Sequence, residues 1–509
     1  MGGNYQNDIY KQLMEVMSKV DSLETEQKQN HKEIKRLNNE VTILSRENTA
    51  LRNEVSYLKH ENAVLTEKCE KLTKENILLR NDNARLRSII NNDSSNTSLP
   101  PSTDKKGVKP ANTFNSRKKT GRKSGGQKGH NGTTLTKAEV EEKIKSNKCK
   151  HEIRTIGDCS SEKYITKYII DLKTETVITE LRIYEDENGK FNIPAQYRSD
   201  VVYGEEVKAM AVSLYSEGVM SNDRIASFLN AVSNNNLGLS EGSVYGFCKK
   251  MSELSEYSIL HLEEDLLNQN YVATDATTVM VNGEQNYVRN FSTDKTVVYH
   301  AMKHKSINAL KKIRFLSSYS GLLIHDHETA LYHFGTEHAE CNVHIIRYLR
   351  KNTEETKNKW SDEMIALLCE MNETRKKYIE TGKIEFSEKE LCDYERRYHN
   401  LIAKGYEENE KTVHKYAKSN ELTLLNRMEK YSHNHLLFLH DFSVLFENNI
   451  SERDLRKVKN RQKMAGGFRK DSGHEMYCNI LTIIETLKRR KMGIIENIKK
   501  LFIGTPAIF

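Results

Sequence analysis

Two carboxylates, Asp275 and Asp326, stand on apolar strands, where an acid is costly unless a cation neutralises it, and a third, Glu452, opens a cation-rich stretch. Asp275 lies mid-way in a β-branched run, residues 271–281, that predicts a strand. Asp326 closes a short apolar run, Gly321-Leu322-Leu323-Ile324-His325, that predicts another. Glu452 opens a stretch otherwise dense in cations: Arg453, Arg456, Lys457, Lys459, Arg461 and Lys463. On a helix, Glu452, Arg456, Lys459 and Lys463 share one face, while Leu455 and Val458 point toward a core. Taken alone, such a run reads as a solvated helix face. Together with two strand acids, it reads as what metal-assisted cutting of a nucleic-acid backbone needs: carboxylates for divalent cations beside cations for phosphate.

The elements that would position these acids follow in order. Strands are expected over 271–281, 287–292 and 296–302, with Asn282-Gly283 as a hairpin turn, then a helix over 306–315 and a strand ending at Asp326. In a ribonuclease-H-like sheet the first and fourth strands are neighbours, so Asp275 and Asp326 would face each other and share divalent cations. Residues 351–447 are Glu/Lys-rich with helical pattern and read as a helical insertion before Glu452. His338, Cys341 and His344 give too few ligands for a structural zinc, and a structural or DNA-proximal role is expected.

The N-terminal part is patterned differently. Leucine recurs every seventh residue at Leu37, Leu44, Leu51, Leu58, Leu65, Leu72, Leu79 and Leu86. With these as d, the a positions include Asn48, Asn62, Cys69, Asn76 and Asn83, and Asn at a fixes register and favours two strands. Glu47, Glu54, Glu75 and Asp82 at g face Arg52, Lys59, Arg80 and Arg87 at e of a second copy, as in a parallel dimer. Residues 1–92 are therefore read as a parallel coiled coil. Residues 93–140 read as a basic linker whose Arg117, Lys118, Lys119, Arg122, Lys123 and Lys128 would follow a DNA backbone. Cys149, His151 and Cys159 make half of a zinc site, so 141–200 reads as a degenerate zinc-finger-like module with a small sheet over 164–184. Residues 201–262, with cap-like Ser221 and Ser240, resemble a helix-turn-helix.

Composition bounds the rest. The chain has 509 residues, a net charge of +8 and eight scattered cysteines, which fits several domains, an acidic partner and a reducing cytoplasm. No apolar run is long enough to span a bilayer, and the start does not read as a signal peptide.

The chain resembles a DDE transposase of the insertion sequence 66 family essentially end to end. The resemblance rests on Ser98-Leu99-Pro100-Pro101-Ser102, the Gly121-Arg122-Lys123 to Gly129-His130 motif, Asp275, and His325-Asp326 with Tyr332, His338, Cys341, Asn342, His344 and Arg347. It continues through Asn448-Asn449, Glu452-Arg453, Leu455-Arg456, Lys463, Gly466 and Phe468-Arg469 to Gly504-Thr505-Pro506, an ending that suggests a complete C-terminus. The resemblance implies that Asp275, Asp326 and Glu452 ligate two Mg²⁺ ions, for which Mn²⁺ can substitute, and that Arg456, Lys459, Lys463 and Arg469 hold phosphates. It implies hydrolysis at the ends of an insertion sequence, joining of the 3′-hydroxyl to target DNA, and small accessory proteins. An inactive DNA-binding relative, or a nuclease that cuts without joining, would carry the same residues. The expected fold class is multidomain α+β: a coiled coil, a small β-containing module, a helix-turn-helix, and a ribonuclease-H-like α/β core, 263–350 and 448–509, split by the insertion.

Overall fold

The computed structural model describes residues 4–92, 96–97, 135–147, 149–156 and 165–505. Its first unit is a single helix, α1 (Asn4–Ile90), about 130 Å long at 1.5 Å per residue. The segment has neither Gly nor Pro, so nothing in it breaks the backbone ladder. The leucine stripe is uncovered: the zipper leucines run from 42% exposed at Leu86 to 63% at Leu79. A stripe of that length is unstable in water unless another surface covers it.

The second unit spans residues 91–509. It opens with α2 (Lys137–Lys145), started by a capping box in which Thr136 and Glu139 satisfy each other's backbone N–H groups. The small sheet expected over 164–184 is not formed among the described residues there: no strand occurs, and the nearest pairing is a single bridge, Glu185 to Phe191. The reason is burial. Its apolar residues have no second layer, with Ile169 93% and Ile178 92% exposed, and a strand pair without a covered face is marginal in water. Three helices follow, α3 (Glu205–Ser216), α4 (Asn222–Val232) and α5 (Glu241–Leu254). Ser221 and Ser240 cap the last two, each accepting a backbone N–H with its hydroxyl. Then comes α6 (Glu256–Leu267).

A mixed five-stranded sheet forms the centre, with strands β1 (Tyr271–Val281), β2 (Glu284–Ser292), β3 (Val297–Met302), β4 (Leu322–His325) and β5 (Glu337–Glu340) in the order β3-β2-β1-β4-β5. The first three are antiparallel through the Asn282-Gly283 turn, both residues at positive φ, and β4 and β5 run parallel to β1. Between β3 and β4 the expected ten-residue helix shortens to one turn, α7 (Ile307–Leu310). Leu310, Ile313, Phe315 and Leu316 are all buried, a spacing that no single helical face can serve.

Helices α8 (Asn342–Thr356), α9 (Trp360–Glu380), α10 (Glu388–Glu410), α11 (Lys415–Lys430) and α12 (Ser432–His440) follow the last strand, and their apolar cluster reaches Ala273 and Ile324. The chain then returns through α13 (Asn449–Ala465), α14 (Asp471–Arg489) and α15 (Ile494–Phe502). A second cluster joins α14, α15 and α3–α6 to the other side of the sheet. No helix among the described residues is long and apolar enough to cross a membrane.

Candidate active site

The sheet register brings the two strand acids level. Ala273 of β1 pairs with Ile324 of β4, and Asp275 and Asp326 each follow two residues on. Asp275 thus shares a face with Ala273, and Asp326, one residue past the end of β4, stands at the same end of the sheet, close enough for its charge to act on Asp275. Glu452 arrives from the first turn of α13. His344, in the first turn of α8, links two of them: its Nδ1 lies 2.8 Å from Asp326 Oδ1 and 3.7 Å from Glu452 Oε1. The Asp326 and Glu452 side chains are about a quarter exposed, at 28% and 27%, so the group opens to solvent.

The start of α13 is seated by side chains from the sheet. Asn448 Nδ2 donates to the Thr274 carbonyl at 2.9 Å. Ser451 Oγ donates to Asn290 Oδ1 at 2.6 Å, and Asn290 Nδ2 returns to the Ser451 carbonyl at 3.0 Å. Asn290 Oδ1 also accepts the Asp275 backbone N–H at 3.1 Å. One amide on β2 thus ties the strand that carries Asp275 to the helical turn that carries Glu452. At the far end, Gly466 closes α13 in the left-handed conformation, and Gly467 has a φ of +140° where a Cβ would collide with the Met280 carbonyl. That close approach lets Phe468 N–H reach the same carbonyl at 2.7 Å and anchors the helix to β1.

The electrostatics are those of like charges crowded at one place. Burial, then the Asp326 charge, pushes the Asp275 carboxyl up to about 7. Burial pushes Asp326 the same way, but the facing His344 outweighs it, helped by His325 and Arg347, and Asp326 is held below the usual carboxylate range. Arg347 Nη1 lies 3.0 Å from His344 Nε2; a guanidinium only donates, so the neutral tautomer that fits this contact accepts at Nε2 and carries its proton on Nδ1, facing Asp326. Burial disfavours a charge on this ring, but the Asp326 carboxylate outweighs it and favours the protonated form. Asp326 Oδ1 and His344 Nδ1 are nevertheless both buried without a well-directed hydrogen bond. Two acids at one end of the sheet, a third in the first turn of α13, and an orphaned carboxylate oxygen fit a divalent-cation site with oxygen donors.

The cations of α13 divide. Arg456, Lys463 and Arg469 are exposed and Lys459 half-buried, and none has an ion pair among the described residues. Lys457 instead bridges Glu217 and Glu485, both at 2.8 Å. Arg461 stacks over Tyr215, Tyr477 and Phe468 at 4.6, 4.6 and 5.0 Å. Two of the six cations in the run, Lys457 and Arg461, therefore fix the helix to its neighbours. A cation that the sequence did not single out, Lys305, donates to the Ala276 carbonyl at 3.4 Å and lies over the Tyr287 ring. Arg117, Lys118, Lys119, Arg122, Lys123 and Lys128, with Cys159 of the half zinc site, lie outside the described residues. His338 does not join Cys341 and His344: its Nδ1 is 3.1 Å from His325 Nε2. Asn290 and Lys305 were missed because isolated polar residues on or beside a strand carry no periodic signal.

A family model described as Transposase IS66 family matches residues 201–476, more than half of the chain. No curated protein matches it.

Proposed function

This chain belongs to the IS66 family of transposases, and we propose that it cuts and joins DNA with a DDE-type centre of Asp275, Asp326 and Glu452. The observation that carries this is the shared edge of the three acids, set by the β1–β4 register and by the Asn290–Ser451 bonds. The β3-β2-β1-β4-β5 order supports a ribonuclease-H-like reading of the sheet. Asp275, Asp326 and Glu452 would hold two Mg²⁺ or Mn²⁺ ions. When bound, such a pair activates the attacking oxygen and stabilises the leaving one.

The chain's own groups bind and orient. Asp275 and Asp326 stand on neighbouring strands and cannot drift apart, while α13 brings Glu452 on a rigid rod. Arg456, Lys459, Lys463 and Arg469 clamp phosphates on one side, and Lys305 meets the backbone from the Asp275 side. In the first step water attacks a phosphorus at the element's end; a P–O bond forms, the P–O3′ bond breaks, and a 3′-hydroxyl is freed. In the second, that hydroxyl attacks a target phosphorus, and one phosphodiester replaces another with no covalent enzyme intermediate. The basic segment 105–130 would add sequence-independent backbone contact. The test is incubation of the full chain with DNA carrying the element's ends and Mg²⁺ or Mn²⁺. Metal-dependent nicks at the ends plus joined products are expected; nicks alone would replace this reading with a nuclease.

The zipper stripe supports a parallel homodimer. In that register the two Cys69 side chains, exposed on the single helix, meet at an a position. Mild oxidation should therefore give a disulfide-linked dimer on non-reducing gels, and Cys69→Ser should remove it. An antiparallel pair or a monomer would leave Cys69 uncrosslinked.

A further inference from the structure

The catalytic edge has a second set of donors behind it that the acids alone do not explain. Cys341, at the start of α8, and His344, one turn on, are 1% and 4% exposed. A carboxylate oxygen of Asp326, Cys341 Sγ and a ring nitrogen of His344 all lie within 4.8 Å of one another. His344 Nδ1 and Asp326 Oδ1, 2.8 Å apart, are both buried and without a directed hydrogen bond. Cys341 is a free thiol whose sulfur accepts the Asn448 backbone N–H at 3.3 Å. Sulfur, imidazole and one carboxylate form a poor set for Mg²⁺ and a good one for zinc-class ions. In a tetrahedral zinc site, bonds of about 2.0–2.3 Å put donors roughly 3.3–3.8 Å apart, so a shift of about 1 Å closes this cluster.

We propose that Asp326, Cys341 and His344 form a site for a borderline-soft divalent cation of the zinc class, and that filling it withdraws Asp326 from catalysis. The inhibitory half rests on the transposase reading; the binding half does not. Binding releases the Cys341 thiol proton to solvent. The ring proton of His344 moves from Nδ1 to Nε2, leaving the Nδ1 lone pair for the ion, and no redox change occurs. A protonated Nε2 cannot accept from Arg347, so that half-exposed side chain must swing away. Arg347 therefore opposes filling of the site, and an acceptor in its place would favour it.

The test is titration of the reduced full-length chain with Co²⁺, read by the thiolate-to-cobalt absorption band. Wild type is expected to show the band, with Zn²⁺ displacing it. Cys341→Ser should remove the Cys341 contribution, one equivalent, while Cys149→Ser leaves it. Arg347→Gln, whose amide oxygen can accept from Nε2–H, should tighten binding by about tenfold or more. This last variant keeps the site testable if Cys341→Ser fails to fold. No band in wild type, a band unchanged in folded Cys341→Ser, or weaker binding in Arg347→Gln would overturn the site. In the DNA assay, Zn²⁺ should suppress Mg²⁺-supported cleavage, more strongly in Arg347→Gln. Cleavage indifferent to Zn²⁺ with the band present would overturn inhibition alone. A band without any cleavage under any metal would overturn the catalytic reading and keep the site.

Discussion

Asp275→Asn is expected to reduce both strand cleavage and joining by roughly a thousandfold or more, the several kcal/mol that cation-assisted charge stabilisation contributes. The substitution keeps the shape of the side chain. The amide oxygen can still accept the Ala276 N–H that Asp275 Oδ1 takes at 2.6 Å, and the Asn290 bond to the residue 275 backbone is untouched. What disappears is the negative charge. Stability should move the other way. In the folded chain Asp275 holds its proton to about 7, whereas an unfolded Asp releases it near pH 3.9. Keeping this group folded thus costs free energy that grows as pH rises from about 4 to about 7, and Asn carries no such penalty. Measured near neutral pH, the variant should melt no lower than wild type while losing product. Lost product with a fallen melting temperature would assign Asp275 to the fold. Retained product would remove it from the catalytic centre.

How much of this site could be read from the sequence depends on which residues have a periodic or compositional signal. Asp275 and Asp326 stand out because each interrupts an apolar strand, and the zipper because eight leucines keep one spacing. The β5 strand, Glu-His-Ala-Glu, could not be read as one. Its charge pattern looks like loop, and Glu340 is tolerated at 1% exposure only because Arg427 from α11, His435 from α12, and His327 and Tyr332 converge on it. Those partners lie up to ninety-five residues away in the chain, which no local pattern reports. The cation run of 452–463 was legible as charge but not as a division of labour. The difference between Lys457 and Lys459 is that one faces Glu217 and Glu485 and the other does not. The alternating run over 164–184 erred in the opposite direction: local pattern favoured strands, but nothing among the described residues covers them.

Arg489→Met is expected to destabilise the core by about 3–5 kcal/mol, the loss typical when one partner of a buried ion pair is removed. Arg489, at the end of α14, is 11% exposed and pairs through Nη2 with Asp454 of α13, 7% exposed. The Asp454 carboxylate also accepts the Ser292 hydroxyl at 2.6 Å, and Ser292 accepts in turn from Asn290. Arg489 further donates to the Thr293 and Thr296 carbonyls at the β2–β3 turn. Its removal therefore leaves a buried carboxylate without its cation two residues from Glu452, and the loss should reach the catalytic turn through Asn290. Adding Asp454→Asn to Arg489→Met removes the stranded charge and should recover part of the stability. Lys457→Met provides the contrast. It breaks ion pairs to Glu217, which is 47% exposed and open to water, and to Glu485, which is 17% exposed but keeps Lys488 at 3.1 Å, so a loss of only about 1 kcal/mol is expected. Urea titration of the three variants separates the cases. Equal losses for Arg489→Met and Lys457→Met would show that burial does not set the value of these pairs. Failure of Asp454→Asn to recover any stability would show that Arg489 acts through the Thr293 and Thr296 carbonyls instead, holding the β2–β3 turn rather than the helix that carries Glu452.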